Sequence, residues 1–190
     1  MKLLFGTNNP HKLEEIRAIM PEGIEILSLG DLGINMDVEE TETTFVGNAF
    51  LKARAFHKAA GIPCFADDSG LIIDALDGRP GVYSARYAGP GCTHEDNIQK
   101  VLGELGDEVN RAARFKAVIA YVDGETEENF DGVVEGSILM EKTGMGGFGY
   151  DPIFQPEGYN ISFAQMDSAE KNRISHRGKS LEKFVAYLRG

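Results

Sequence analysis

The chain of 190 residues is predicted to be an α/β protein with a mixed central sheet. Two observations carry that expectation. Short apolar runs with the character of strands are interleaved along the sequence with segments of 3.6-residue apolar period. The clearest strand pattern, A-R-F-K-A-V-I-A-Y-V at 113–122, is followed across D-G-E-T-E by a second, E-N-F-D-G-V-V-E-G-S-I-L at 128–139, and the two are expected to pair.

The elements follow in order. K-L-L-F-G at 2–6 reads as a strand, and T-N-N-P-H-K then opens a helix with Asn9 as N-cap and Pro10 at the first helical position. Glu14 and Glu15 suit the positive end of that helix, and Leu13, Ile16 and Met20 follow its period. I-E-I-L at 24–27 reads as a strand. A longer helix is expected from about Thr44 to Ala60, with the stripe Phe45, Ala49, Phe56 and Ala60, ended by Gly61 and Pro63. C-F-A-D-D is expected as a buried strand ending at the aspartates, L-I-I-D-A-L as a second strand, and D-G-R-P-G as a turn. Thr93 caps a helix carrying Ile98, Val101, Leu102 and Leu105, and the last helix uses Leu181, Phe184, Val185 and Leu188.

Composition bounds the function. Length and a hydrophobic fraction of 42% fit one soluble globular domain spanning 1–190. A net charge of −11 disfavours extended nucleic-acid binding, while leaving room for a small anionic ligand held by a few local cations. No apolar run is long enough for a membrane span, and M-K-L-L-F-G breaks off too soon for a signal-peptide core. Cys64 and Cys92 have no C-x-x-C or metal spacing, which points to a reducing cytoplasm.

Several motifs carry possible chemistry. G-M-G-G-F-G at 144–149 matches a dinucleotide fingerprint on paper, but the prolines of Y-D-P-I-F-Q-P forbid the helix that the fingerprint needs. It reads either as a turn that lets backbone approach a ligand or as a plain loop. G-K-S at 178–180 lacks the upstream glycine of a P-loop. T-N-N-P-H-K, at a strand–helix junction, presents amides and polar side chains suited to a phosphate chain, although capping alone accounts for Asn9 and Pro10. The adjacent Asp67 and Asp68 repel unless something compensates. They read as a pair facing opposite ways that a hard cation offsets, or as an Asx-type turn before Gly70. E-E-T-E at 39–42 is a second acidic cluster, also suited to a helix N-terminus. D-S-A-E at 167–170 has capping-box spacing, and the basic run Lys171, Arg173, His176, Arg177 and Lys179 follows it. That run reads as a solvated face, except that S-H-R-G interrupts the helical period and places His176 and Arg177 at a junction.

Together T-N-N-P-H-K, F-A-D-D-S-G, P-G-V-Y-S-A-R, G-G-F-G-Y-D-P-I-F and I-S-H-R-G, in this order, closely resemble the Ham1/RdgB family over nearly the whole chain. The resemblance implies an elongated mixed sheet with flanking helices, two lobes around a substrate cleft, and a homodimer. It implies Mg²⁺-dependent hydrolysis of ITP, dITP and XTP to the monophosphate plus pyrophosphate, cleansing the nucleotide pool. By position, the phosphate loop of the family falls on Thr7, Asn8, Asn9, Pro10, His11 and Lys12. Its catalytic, metal-associated aspartate falls on Asp68, with Ser69 as a substrate contact and Asp67 organising the site. The acidic metal partner falls on Glu40, beside Glu39. Base recognition falls on Phe148, Gly149, Tyr150 and Asp151, completed by Lys171, His176 and Arg177. The chain departs from the family where Glu42 stands in place of a common glycine.

Overall fold

The computed structural model describes residues 1–190. The chain forms five α-helices and six strands. The strands are β1 (Lys2–Phe5), β2 (Glu25–Leu27), β3 (Cys64–Ile73), β4 (Ala112–Asp123), β5 (Thr126–Ile138) and β6 (Phe154–Pro156). The helices are α1 (Pro10–Ile19), α2 (Phe45–Ala60), α3 (His94–Leu105), α4 (Ser168–Ile174) and α5 (His176–Leu188). One six-stranded sheet runs in the order β2-β1-β3-β4-β5-β6. β1 is parallel to both β2 and β3, and β5 is antiparallel to β6, so the sheet is mixed as expected.

Two compact units divide the chain. The first comprises Met1–Asp68, Ala117–Gly132 and Arg177–Gly190, and the second Ser69–Lys116 and Val133–His176. β3, β4 and β5 each contribute residues to both.

In the first unit, helices cover both faces of the sheet, and the pleat of β3 sorts its side chains between them. Phe65 packs with Ile16 of α1 and Leu181 and Phe184 of α5. Ala66 lies with Ala49 and Ala53 of α2, and Cys64 with Phe56 of α2. The Phe65 ring stacks on Phe5 at 4.7 Å and meets Phe184 at 5.0 Å. Helix ends form as the sequence dictates. Asn9 caps α1 with Pro10 at N1, Thr44 caps α2 through Gly47 N–H, and Gly61 closes α2 in the left-handed region at φ 66°. The second unit gathers Leu71, Ile73, Ile98, Val101, Leu105, Phe115 and Phe154 into a single core. Thr93 and Asp96 form a reciprocal capping box on α3.

Two expectations fail on β3. The chain does not break at the aspartates; it continues as one strand through Ser69 and Gly70 to Ile73. Asp67 and Asp68 therefore lie in mid-strand, which excludes both the strand end and the Asx-type turn. The physical reason is burial: an uninterrupted ladder satisfies backbone groups that a turn would leave in the interior without partners. The tail of L-I-I-D-A-L is not strand either, because Asp74–Leu76 turn in a short 3₁₀ segment. At 167–170 the capping box is incomplete. Asp167 accepts from Ala169 N–H, but Glu170 pairs with Arg173 and Tyr159 instead of reaching back.

Phe184 is fully buried and touches Phe65, Tyr121 and Phe130, so its removal leaves a cavity among aromatic rings. Phe184→Ala is expected to lower stability by about 3–5 kcal/mol, measured by urea denaturation.

Candidate active site

The pleat that sorts the core also sorts the two aspartates. Asp67 shares the face of Phe65 and is 2% exposed. Lys12 of α1 donates to its Oδ1 at 3.0 Å and Arg177, at the start of α5, to its Oδ2 at 3.4 Å. Arg177 also donates to Glu15, one turn beyond Lys12 on α1. Burial alone would push the Asp67 carboxyl up, but Lys12, Arg177 and Lys52 outweigh it and hold the group well below the usual carboxylate range. Burial likewise works against Arg177, whose positive charge Asp67 and Glu15 more than restore.

Asp68, one residue on, faces α2. Asn48 donates to its Oδ2 at 3.3 Å, and Lys52 Nζ lies 3.9 Å from its Oδ1 and 2.5 Å from Glu40 Oε1. Its balance is opposite to that of Asp67. Burial, then the nearby negative charges of Glu40 and Asp67, push it up to about 6 against the attraction of Lys52 and Lys12. Lys52 itself is raised, because Asp68, Asp67 and Glu40 overcome the effect of its burial. A carboxyl that titrates near 6 and stands beside cations can take a proton from water near neutral pH.

Glu40 points into this cluster while Glu39 is exposed. Glu42 adopts an ordinary backbone conformation in place of the common glycine, since Asp77 alone among non-glycine residues has a positive φ. Asn48 fixes it, accepting from its N–H and donating to its carbonyl. For a cation the available donors are the carboxylates of Asp68 and Glu40; no group of three or more His, Cys, Asp or Glu side chains is assembled.

At the β1–α1 junction Asn9 Oδ1 accepts from His11 and Lys12 N–H, and Thr7 Oγ1 accepts from Asn9 N–H. Asn8 reaches instead to Met36 O and Asp37. The backbone donors of the first helical turn are thus engaged by the cap, and the charge this junction sends to the cluster comes from Lys12.

The second unit builds a separate constellation. Asp151, 4% exposed, accepts from Phe148 N–H at 3.0 Å and from Lys171 at 2.7 Å. Lys171 Nζ in turn sits 5.0 Å from the Phe148 ring centroid. Only glycine fits at 147, where φ is 68° and a Cβ would meet Asp151 Oδ2 at 2.0 Å. Tyr150 is buried, with its hydroxyl donating to Ser84 O. His176 stacks on Phe115 at 4.8 Å. Ser69 is half-buried on β3 directly after Asp68. Of the residues assigned to base recognition, Phe148, Gly149, Tyr150, Asp151, Lys171 and His176 thus belong to the second unit, whereas Arg177 bonds to Asp67 and Glu15 in the first.

A sequence profile of the Ham1 family matches residues 3–187. The chain belongs to the Ham1 family. It is 48% identical over 189 residues to a protein of Flavobacterium psychrophilum named dITP/XTP pyrophosphatase, covering 100% of both chains. A protein of the same name from Christiangramia forsetii is 50% identical over 188 residues and covers 99% of each. Among solved structures, a HAM1 protein from Coxiella burnetii superposes with a TM-score of 0.92 at 40% identity, covering 100% of this chain and 98% of the other.

Sequence reasoning missed Lys52, Asn48 and Glu15 in this Ham1 chain. A signal for two of them existed. Asn48 and Lys52 stand one helical turn apart beside the buried Ala49 and Ala53, polar side chains on a face otherwise built to pack. Glu15 carried none, because an acid near a helix start is ordinary.

The neighbouring aspartates should respond oppositely to neutralisation. In metal-free protein Asp67→Asn strands Lys12 and Arg177 and is expected to cost about 3–5 kcal/mol. Asp68→Asn is expected to be as stable as the parent or more so. Its folded carboxyl is raised to about 6 from the ordinary aspartate value of 3.8, so the cost of ionising it is absent below the lower value and complete above the upper. Denaturation in chelator from pH 4 to pH 8 should show any Asp68→Asn advantage growing with pH, and an advantage that shrinks would refute the assignment.

Proposed function

We propose that this Ham1-family chain hydrolyses ITP, dITP and XTP to the nucleoside monophosphate plus pyrophosphate, removing non-canonical purines from the nucleotide pool. The observation that carries the reading is Asp68, a buried carboxyl gathered with Glu40 and Lys52 on the side of β3 that faces α2. The names of the full-length relatives, dITP/XTP pyrophosphatase, supply the substrate class.

Asp68 takes a proton from the water that attacks the α-phosphorus, and pyrophosphate leaves as the α–β bridging bond breaks. Lys12 and Lys52 bring positive charge to the phosphate chain. Asp67 fixes Lys12 and Arg177, so the cations are in place before substrate arrives. Glu40 and Asp68 are the residues that would hold Mg²⁺, and their donor chemistry fits it: Mg²⁺ takes one or two carboxylates together with substrate phosphate oxygens. When bound it offsets the charge of these acids and polarises the phosphate.

Base recognition belongs to Phe148–Asp151 with Lys171 and His176. Hypoxanthine and xanthine present a 6-oxo acceptor, whereas adenine presents a 6-amino donor that would face the site's donors without a partner. Sites built on hydrogen bonds reject such a mismatch by about 10⁴-fold. A homodimer in a reducing cytoplasm completes the reading, supported for the compartment by two cysteines outside any disulfide. No helix is long and apolar enough to cross a membrane, and the net charge of −11 weighs against a nucleic-acid partner.

The deciding experiment incubates the protein with ITP, XTP, GTP and ATP plus Mg²⁺ and identifies both products. Pyrophosphate with the monophosphate is expected from ITP and XTP, at a kcat/KM orders of magnitude above that for ATP. Orthophosphate as the sole inorganic product, or equal use of ATP, would refute the proposal. Asp68→Asn should reduce kcat at least about a hundredfold.

A further inference from the structure

The segment 142–151 carries the Phe148 ring, and within it Asp151 accepts from Phe148 N–H at 3.0 Å. Gly144, Gly147 and Gly149 all have positive φ, and Met145 is fully exposed. Its conformation is set by what it touches. Within the loop region, Thr143 N–H donates to Pro152 O at 2.8 Å, and Gly146 N–H to Ala164 O at 2.9 Å. Contacts from α3 reach both ends of the segment. Gly149 N–H donates to His94 Nδ1 at 3.2 Å, the His94 ring lies 6.2 Å from that of Phe148, and Glu95 pairs with Lys142.

Helix α3 is a firm support. Its first turn is closed by the Thr93–Asp96 capping box, and Ile98, Val101 and Leu105 anchor it in the core. His94 stands at the first position of that helix, exposed on one side and bonded to the loop on the other. Its Nδ1 accepts a hydrogen bond, so the ring proton is on Nε2.

We propose that His94 is a positioning residue for nucleobase recognition: its Nδ1 lone pair holds the Gly149 N–H, and through it the Phe148 ring and the backbone of Gly149 and Tyr150 in the conformation that receives a purine. The proposal rests on the base-recognition reading of this loop. His94 acts through Gly149 and has no part in breaking the phosphoanhydride, so its loss weakens substrate capture and leaves the chemical step intact.

Two substitutions separate the hydrogen bond from the ring. His94→Asn places an amide oxygen close to where Nδ1 lies and keeps the acceptor. His94→Phe keeps a ring beside Phe148 and removes the acceptor. With ITP and Mg²⁺, the Phe variant is expected to raise KM about two- to tenfold with kcat within twofold of the parent, the scale of one lost hydrogen bond. The Asn variant should stay near the parent. Amide exchange of Gly149, followed by NMR without substrate, should speed up in the Phe variant only. Parent-like behaviour of both variants, equal impairment of both, or a loss confined to kcat would overturn the proposal. A parent protein that leaves ITP intact would defeat the functional reading instead, and the Gly149 exchange rates would still decide whether His94 holds the loop.

Discussion

Asp67 carries its charge into the interior, and two stretches of chain far from it in sequence are arranged around that fact. Lys12 comes from α1 and Arg177 from the start of α5, with Glu15 completing the network. An isolated buried carboxylate would cost several kcal/mol, so the folded state depends on all of these charges arriving together. Such a network contributes little net stability over an apolar core of equal volume. What it gives is position: the cations are held by the protein and do not reorganise when another anion arrives.

The pleat of β3 makes the division of labour between adjacent residues possible. Asp67 is surrounded by compensating charge and stays ionised, while Asp68, facing α2, is left with burial and neighbouring acids that its lysine only partly offsets. Two identical side chains thereby acquire opposite acidities from their surroundings, one stabilising the fold and the other straining it. In the proposed function the strained one is the residue that reacts, as expected where reactivity and stability compete for a residue.

Local rules reached most of the fold. Asn9–Pro10, Thr44, Gly61 and Thr93 marked helix ends through capping chemistry that depends on a few adjacent residues, and the structure places them there. The same local rules misjudged β3. D-D-S-G has the composition of a turn, and only its burial between helices on both faces makes it strand. The residue clusters of the candidate site were legible where their motifs were contiguous, as in F-A-D-D-S-G and G-G-F-G-Y-D-P. Contacts made across the fold were illegible: Arg177 pairs with Glu15, and Gly149 with His94, at separations no local pattern encodes.

The continuous β3 strand also constrains how this chain can evolve. Because successive residues face opposite sides, inserting or deleting a single residue between Cys64 and Asp67 would turn every later side chain to the other face. Asp67 would then confront Lys52 and Glu40, and Asp68 would confront Lys12 and Arg177, with the aromatic and alanine positions exchanged as well. Point substitutions along the strand can be sampled one at a time, but its length cannot drift by one. Tolerance to insertion should therefore be confined to the flanking connections, and a family built on this strand is expected to vary in its loops while the residue count from Cys64 to Asp68 stays constant.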